Sequence, residues 1–138
     1  MTIWSGRFDT LPDPVAFDFG VSFGFDRRLF EDDVTGSIAW AEALGAAGVL
    51  SKEETAAITD GLKKILDEGR KNSSFISGND EDIHSFVERE LIARIGDAGR
   101  RLHTGRSRNE QVSLDLRLYL KRRIPALQKA VASVVKAC

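Results

Sequence analysis

The chain has 138 residues, 42% hydrophobic and 30% charged, which suits one compact soluble domain and leaves little length for a second. It holds no apolar run of the ~18 residues a membrane span needs, and MTIWSGRFDT lacks the apolar middle and small-residue cleavage site of a secretory signal. The net charge of −1 hides a split: from Arg100 onward stand ten of the twenty basic residues but two of the twenty-one acids, a pattern open to nucleic acid, to a small anion or to pairing between subunits.

Residues 1–14 show no helical period and hold Pro12 and Pro14, so they read as irregular. In FDFGVSFGF, apolar residues at 17, 19, 21, 23 and 25 alternate with small or polar ones. That is the pattern of an extended arm with one buried face, packed on something else because one strand makes no sheet. From Asp26 the period becomes helical through Leu29, Phe30, Val34, Ile38, Ala41 and Leu44, with Gly45 and Gly48 near the stop. Ser51-Lys52-Glu53-Glu54 is a capping box that opens a second helix, whose stripe is Ala57, Ile58, Leu62, Ile65 and Leu66 and whose end is Gly69. A polar loop follows. A third helix is expected from Asn79 or Asp80, with Ile83, Phe86, Val87, Leu91 and Ile95 inward and Gly96 and Gly99 as stops. Ser107-Arg108-Asn109-Glu110 is a second capping box. It opens a long run with Val112, Leu116, Leu120, Leu127, Val131 and Val134, in which Pro125 is expected to place a kink. The class is all-α, with antiparallel helices joined by short loops. The last helix is still periodic at Cys138 without a stop signal, so it is expected to continue, or to need a partner over its apolar face. The lone cysteine, Cys138, can make no internal disulfide, so a reducing, cytoplasmic setting is expected.

HTGRSRN, residues 103–109, gathers more hydrogen-bond donors than a solvated loop needs. With Ser107 as N-cap, the unpaired amides of the first turn and the helix dipole make an anion site. Arg108 adds a fork that matches a carboxylate, and Asn109 adds an amide. The plain alternative is a capped helix with exposed arginines. In NDEDIH, residues 79–84, the acids suit a helix start, and His84 stands at the border of the apolar stripe, where a histidine is half wet. With His103 these residues lack any metal-ligand spacing, so no metal and no cofactor is expected. Ser22, on the polar side of the arm, reads as a surface hydroxyl.

Trp4-Ser5-Gly6-Arg7-Phe8, Ser22 with Asp26-Arg27, NDEDIH, and HTGRSRN with Gln111-Val112 and Asp115-Leu116-Arg117-Leu118 occur in this order. Together they closely resemble the amino-terminal part of the argininosuccinate lyase family, within the fumarase/aspartase superfamily, over nearly the whole chain. Where many members have aspartate, Glu110 stands here. The resemblance implies an all-α homotetramer with a central bundle of long helices. It divides the chain into an amino-terminal helical domain, 1–106, and the start of a bundle helix, 107–138. It implies elimination of fumarate from argininosuccinate to leave arginine, the last step of arginine biosynthesis. It places Ser22, Ser107, Arg108 and Asn109 on the substrate, with Asp82, His84, His103 and Thr104 lining or supporting the site. The family's downstream threonine–histidine motif and its loop with the catalytic serine are not in this sequence. The chain is therefore expected to be a fragment without proton-transfer groups, inactive alone, in a protein that binds no membrane and no nucleic acid. The competing expectation is a non-catalytic structural or anion-binding module on the same scaffold, or a nucleic-acid binder using the basic helix. Aromatic residues are not interleaved with those basic residues apart from Tyr119, which gives base stacking little support.

Overall fold

Asp13 starts the first helix of this computed structural model, which describes residues 13–138; the Trp4–Phe8 motif and most of the expected irregular stretch lie outside the described residues. The Asp13 carboxylate accepts from the amides of Val15 (2.9 Å) and Ala16 (3.3 Å), and Pro14 presets the first helical φ, giving α1, Pro14–Gly20. Val21 is extended and ends it; α2, Phe23–Asp26, and a 3₁₀ turn, Arg27–Leu29, follow. The expected extended arm over 17–25 is therefore corrected to two short helices. Among the described residues there is no strand to pair with, and an unpaired extended segment leaves its backbone polar groups unsatisfied, whereas helical turns bond them locally. Nor does the alternation define one buried face: Phe23 is buried, but Phe19 and Phe25 are exposed. The segment is tied down by its backbone, where the amides of Ser22 and Phe23 donate to the Glu81 carbonyl at 2.8 and 3.2 Å.

Three helices make the body: α3, Phe30–Ala46, α4, Lys52–Lys71, and α5, Ile83–Ile95. The box at the start of α4 is formed in both directions, with Glu54 N–H donating to Ser51 Oγ (3.1 Å) and Ser51 N–H to Glu54 Oε2 (2.8 Å). The cap of α5 is Asp82, not Asn79 or Asp80; its carboxylate accepts from Ser85 N–H at 2.7 Å. Asp80 is instead buried and takes both arms of Arg89, at 3.1 and 2.9 Å. Gly96 (φ 68°) ends α5, yet the chain winds on as a 3₁₀ helix, Gly96–His103, rather than opening into a loop. α6, Arg108–Ala137, runs through Pro125 without interruption.

α3 packs against both α4 and α6, and α4 also packs against α5. Val34, Ile58, Leu62, Ile65, Ile83, Phe86 and Leu91 are fully buried between them, on the stripes that the helical period marks. Phe86 is the hub, 5.6 Å from Phe23, 6.3 Å from Phe30 and 5.4 Å from Phe75 between ring centroids. α6 is pinned to α3 by Arg122, which donates to Asp32 from Nε (3.3 Å) and Nη2 (2.7 Å). No described helix is long and apolar enough to cross a membrane.

Candidate functional site

The loop before α6 is shaped by Gly105, whose φ of 67° lies where other residues rarely go. Thr104 donates its hydroxyl to the Arg101 carbonyl at 2.7 Å. Ser107 caps α6, but only half of the expected box is present: its Oγ accepts from Asn109 N–H at 3.3 Å, and no bond from Glu110 back to the cap is among the described hydrogen bonds. Ser107, Asn109 and Thr104 are exposed. The two arginines of the loop part ways. Arg106 turns inward, donating to Ser37 Oγ at 2.9 Å and lying over the Trp40 ring. Arg108 stays at the helix start among protein groups: Nη1 reaches Gln111 Oε1 and His103 Nε2, each at 3.3 Å, Nη2 reaches Ser85 Oγ at 3.3 Å, and Nε faces Asp82 Oδ2 at 3.4 Å. All four contacts are long, so the fork is aimed rather than locked, and an incoming carboxylate could displace them.

Beneath this loop lies a buried polar cluster. His84 is buried, not half wet as its border position suggests. Its Nδ1 is 2.9 Å from Asp33 Oδ1 and 3.4 Å from Asp115 Oδ2. Facing a carboxylate, which only accepts, Nδ1 carries the hydrogen. Gln111 Nε2 donates to the same Asp33 oxygen at 2.6 Å. Burial opposes ionisation of Asp33, but the bond and charge of His84, the Gln111 amide and the Arg106 guanidinium outweigh it and hold this carboxyl below its usual value. Asp115 goes the other way: burial first, then the neighbouring Asp33 charge, push it up to about 8. Its oxygens find no other donor, and a proton on Asp115 shared with Asp33 supplies the missing bond. Asp33, His84 and Asp115 each offer a ligand atom, all within 4.8 Å of one another, a set that could hold a cation. Here, however, Asp33 Oδ1 is already occupied by two donors, and the nearby Arg106 provides positive charge. His103 is not part of the set.

A cleft of about 450 Å³ opens beside the cluster, lined among others by Ser22, Asp26, Asp82, His84, Val112 and Tyr119. The fold thus brings Ser22, Asp82 and His84 to one cavity, and Arg108 joins them through Asp82; Ser107, Asn109 and Thr104 do not line it. Ser22 is not a free surface hydroxyl, since it donates to Asp26 Oδ2 at 2.6 Å and keeps its lone pairs for another donor. Sequence reasoning missed Asp33, Ser85, Arg106, Gln111 and Asp115 as parts of this arrangement. One signal was available: positions 108, 111 and 115 share a helical face.

A family model described as Lyase matches residues 6–138. The argininosuccinate lyase of Desulforudis audaxviator (strain MP104C) is 48% identical over 132 residues, covering 96% of this chain and 29% of that protein. The corresponding figures for the argininosuccinate lyase of Clostridium novyi (strain NT) are 48% over 121 residues, 88% and 28%, and for that of Thermoanaerobacter sp. (strain X514) 48% over 135 residues, 98% and 30%. The chain spans less than a third of the length of these curated relatives. By a match over almost all of its residues, the chain belongs to the lyase family.

Proposed function

We propose that this chain supplies one wall of the substrate site of an argininosuccinate lyase, which splits argininosuccinate into arginine and fumarate. The observation that carries this reading is the 48% identity to argininosuccinate lyases over 96% of the chain. In the reaction a base removes a proton next to a carboxylate of the succinyl group. The electron pair left on carbon is spread into that carboxylate, then forms the new double bond as the C–N bond breaks, and the leaving guanidine nitrogen takes a proton. Donors fixed where the negative charge grows lower that barrier. Arg108, Asn109 and Ser107 at the positive end of α6 are suited to hold the succinyl carboxylates. Ser22 touches substrate from the cleft side, while Asp82, His84, His103 and Thr104 support the wall. No residue of this chain is assigned a proton-transfer role, and no cofactor is needed for such an elimination.

In the same reading, residues 1–106 form an amino-terminal domain and 107–138 begin a helix of a central bundle in a cytoplasmic homotetramer. The exposed apolar stripe of α6 supports that assembly. The nucleic-acid alternative loses ground to the ion pairing: of the ten basic residues from Arg100 onward, Arg100, Arg101, Arg106, Arg108 and Arg122 are engaged by the chain's own groups. The test is ultraviolet detection of fumarate from argininosuccinate. The protein that carries this chain should release fumarate and the 138 residues alone should not. Silence of the former, or turnover by the latter, would refute the respective half.

A further inference from the structure

We infer that Gln111 is a positioning residue for the anion-binding end of α6: the buried Asp33 holds its amide, and its carbonyl directs the guanidinium of Arg108. The inference rests on the reading of Arg108 as a ligand for a substrate carboxylate. Gln111 is buried, lies one turn beyond Arg108, and bridges two groups of opposite character. Its Nε2 donates to Asp33 Oδ1 at 2.6 Å, and its Oε1 accepts from Arg108 Nη1 at 3.3 Å. This direction is chemically forced. Asp33 only accepts and Arg108 only donates, so the reversed amide would set NH₂ against the guanidinium and the carbonyl against the carboxylate.

The bridge is firm at one end. Asp33 is fully buried, and the oxygen that takes the Gln111 amide also takes His84 Nδ1 at 2.9 Å. Charge-assisted bonds of this length are the strong ones. The other end meets an arginine whose remaining contacts, to His103, Ser85 and Asp82, lie at 3.3 to 3.4 Å. A buried amide adds little net stability over an apolar side chain of similar size. What it adds here is a direction, transmitted from the buried carboxylate to the loop that would meet the ligand.

The test is a double-mutant cycle in the protein that carries this chain, with argininosuccinate as substrate. Gln111→Met keeps the volume and removes both bonds. It should lower kcat/KM by on the order of tenfold to a hundredfold, as expected when a binding group is misplaced. The Gln111→Met/Arg108→Ala double variant should be no slower than Arg108→Ala alone. Losses that multiply, or a Gln111→Met enzyme as active as the wild type, would overturn the inference. Should Gln111→Met not fold, Gln111→Glu decides. Ionised, the new carboxylate repels Asp33; protonated, it can donate to Asp33 and still accept from Arg108. Its activity relative to wild type should therefore rise as pH falls, whereas a ratio independent of pH overturns the proposal. The other charged or titratable groups around it (Asp33 on α3, Asp82 capping α5 and His84 on it, His103 and Arg106 before α6, Arg108 and Asp115 on α6) are common to both enzymes, so the ratio reads the pH dependence that the new carboxyl introduces, directly or through Asp33 and Asp115. A wild-type enzyme without turnover is a separate result: it removes the functional reading, and this inference with it.

Discussion

Two carboxyls buried side by side cannot both ionise cheaply, even with the Arg106 guanidinium nearby, and the chain keeps one proton there, on Asp115. The consequence for stability has a definite sign. Below pH 3.8 the group is protonated in folded and unfolded chains alike; between that and about 8 the folded state alone holds the proton. Stability from this group is therefore full at the acid end and is lost as pH rises toward 8. Asp115→Asn mimics the protonated form, so it should raise the melting temperature, and the gain over wild type should widen from about pH 4 to 8. A gain that stays flat across that range would contradict the assignment. His103 has the opposite sign. Burial first, then the Arg108 charge, lower its value from 6.5, so its contribution is full above 6.5 and lost as pH falls through the depressed value. Asn109 is exposed, its backbone N–H donates to Ser107 Oγ, and its side chain is in none of the described hydrogen bonds; Asn109→Ala should thus leave folding intact while lowering kcat/KM by about a hundredfold or more. Unchanged kinetics would make the loop a helix cap and nothing else. The loop itself was legible in the sequence, because donor density and the Ser107 cap are local. Its support was not: Gln111 meets Asp33 across 78 residues of chain, and in EDDV that aspartate looks like one more acid in the first turn of a helix.

Helices α3 to α6 were legible for a common reason. Each carries an apolar stripe at helical spacing, reinforced by a side-chain cap at the start of α4, α5 and α6 and by glycines near the ends of α3, α4 and α5, so local preference and burial agree. The 17–25 segment failed because alternation with period two says nothing about whether a neighbouring strand exists, while Asp13 and Pro14, one turn earlier, already commit the chain to a helix. The start of α5 was misplaced by two residues or more because Asn79, Asp80 and Asp82 are all competent caps, and the choice falls to tertiary structure: Asp80 is taken by Arg89, and Asp82 is left to bond Ser85 N–H. Such helices hold together chiefly through the faces they bury. Phe86 is fully buried on α5 and touches rings from α2, α3 and the turn at Ser73–Phe75. Phe86→Ala should cost about 3–5 kcal/mol by the lost transfer energy and the cavity left behind, measured by denaturant unfolding. A loss under about 1 kcal/mol would mean that this aromatic cluster does not organise the core.

At the scale of the molecule the decisive asymmetry is in α6. Its first half is seated on α3, with Gln111 and Asp115 buried and Arg122 clasping Asp32. From Leu120 to Cys138 every residue is exposed. Thirty residues of helix reach about 45 Å, so roughly half of that length has no cover from the body. The exposed part is not a solvated surface. Leu120, Ile124, Leu127, Val131 and Val134 recur at intervals of three and four, the spacing of a helix that packs against other helices. A stripe of this extent is rare on a monomer, and the proposed bundle of several copies would bury it. Leu127 is 65% exposed, so Leu127→Glu removes nothing from the fold of this chain but places a charge in the middle of the stripe. In the protein that carries the chain, this variant should sediment as a smaller species than the wild type with its helical content retained. Fumarate release should fall with it if the site is completed by neighbouring copies. Unchanged mass, or a wild type that is itself monomeric, would mean that the stripe does not join copies, and the assembly part of the proposal would have to be given up while the site on α6 stood.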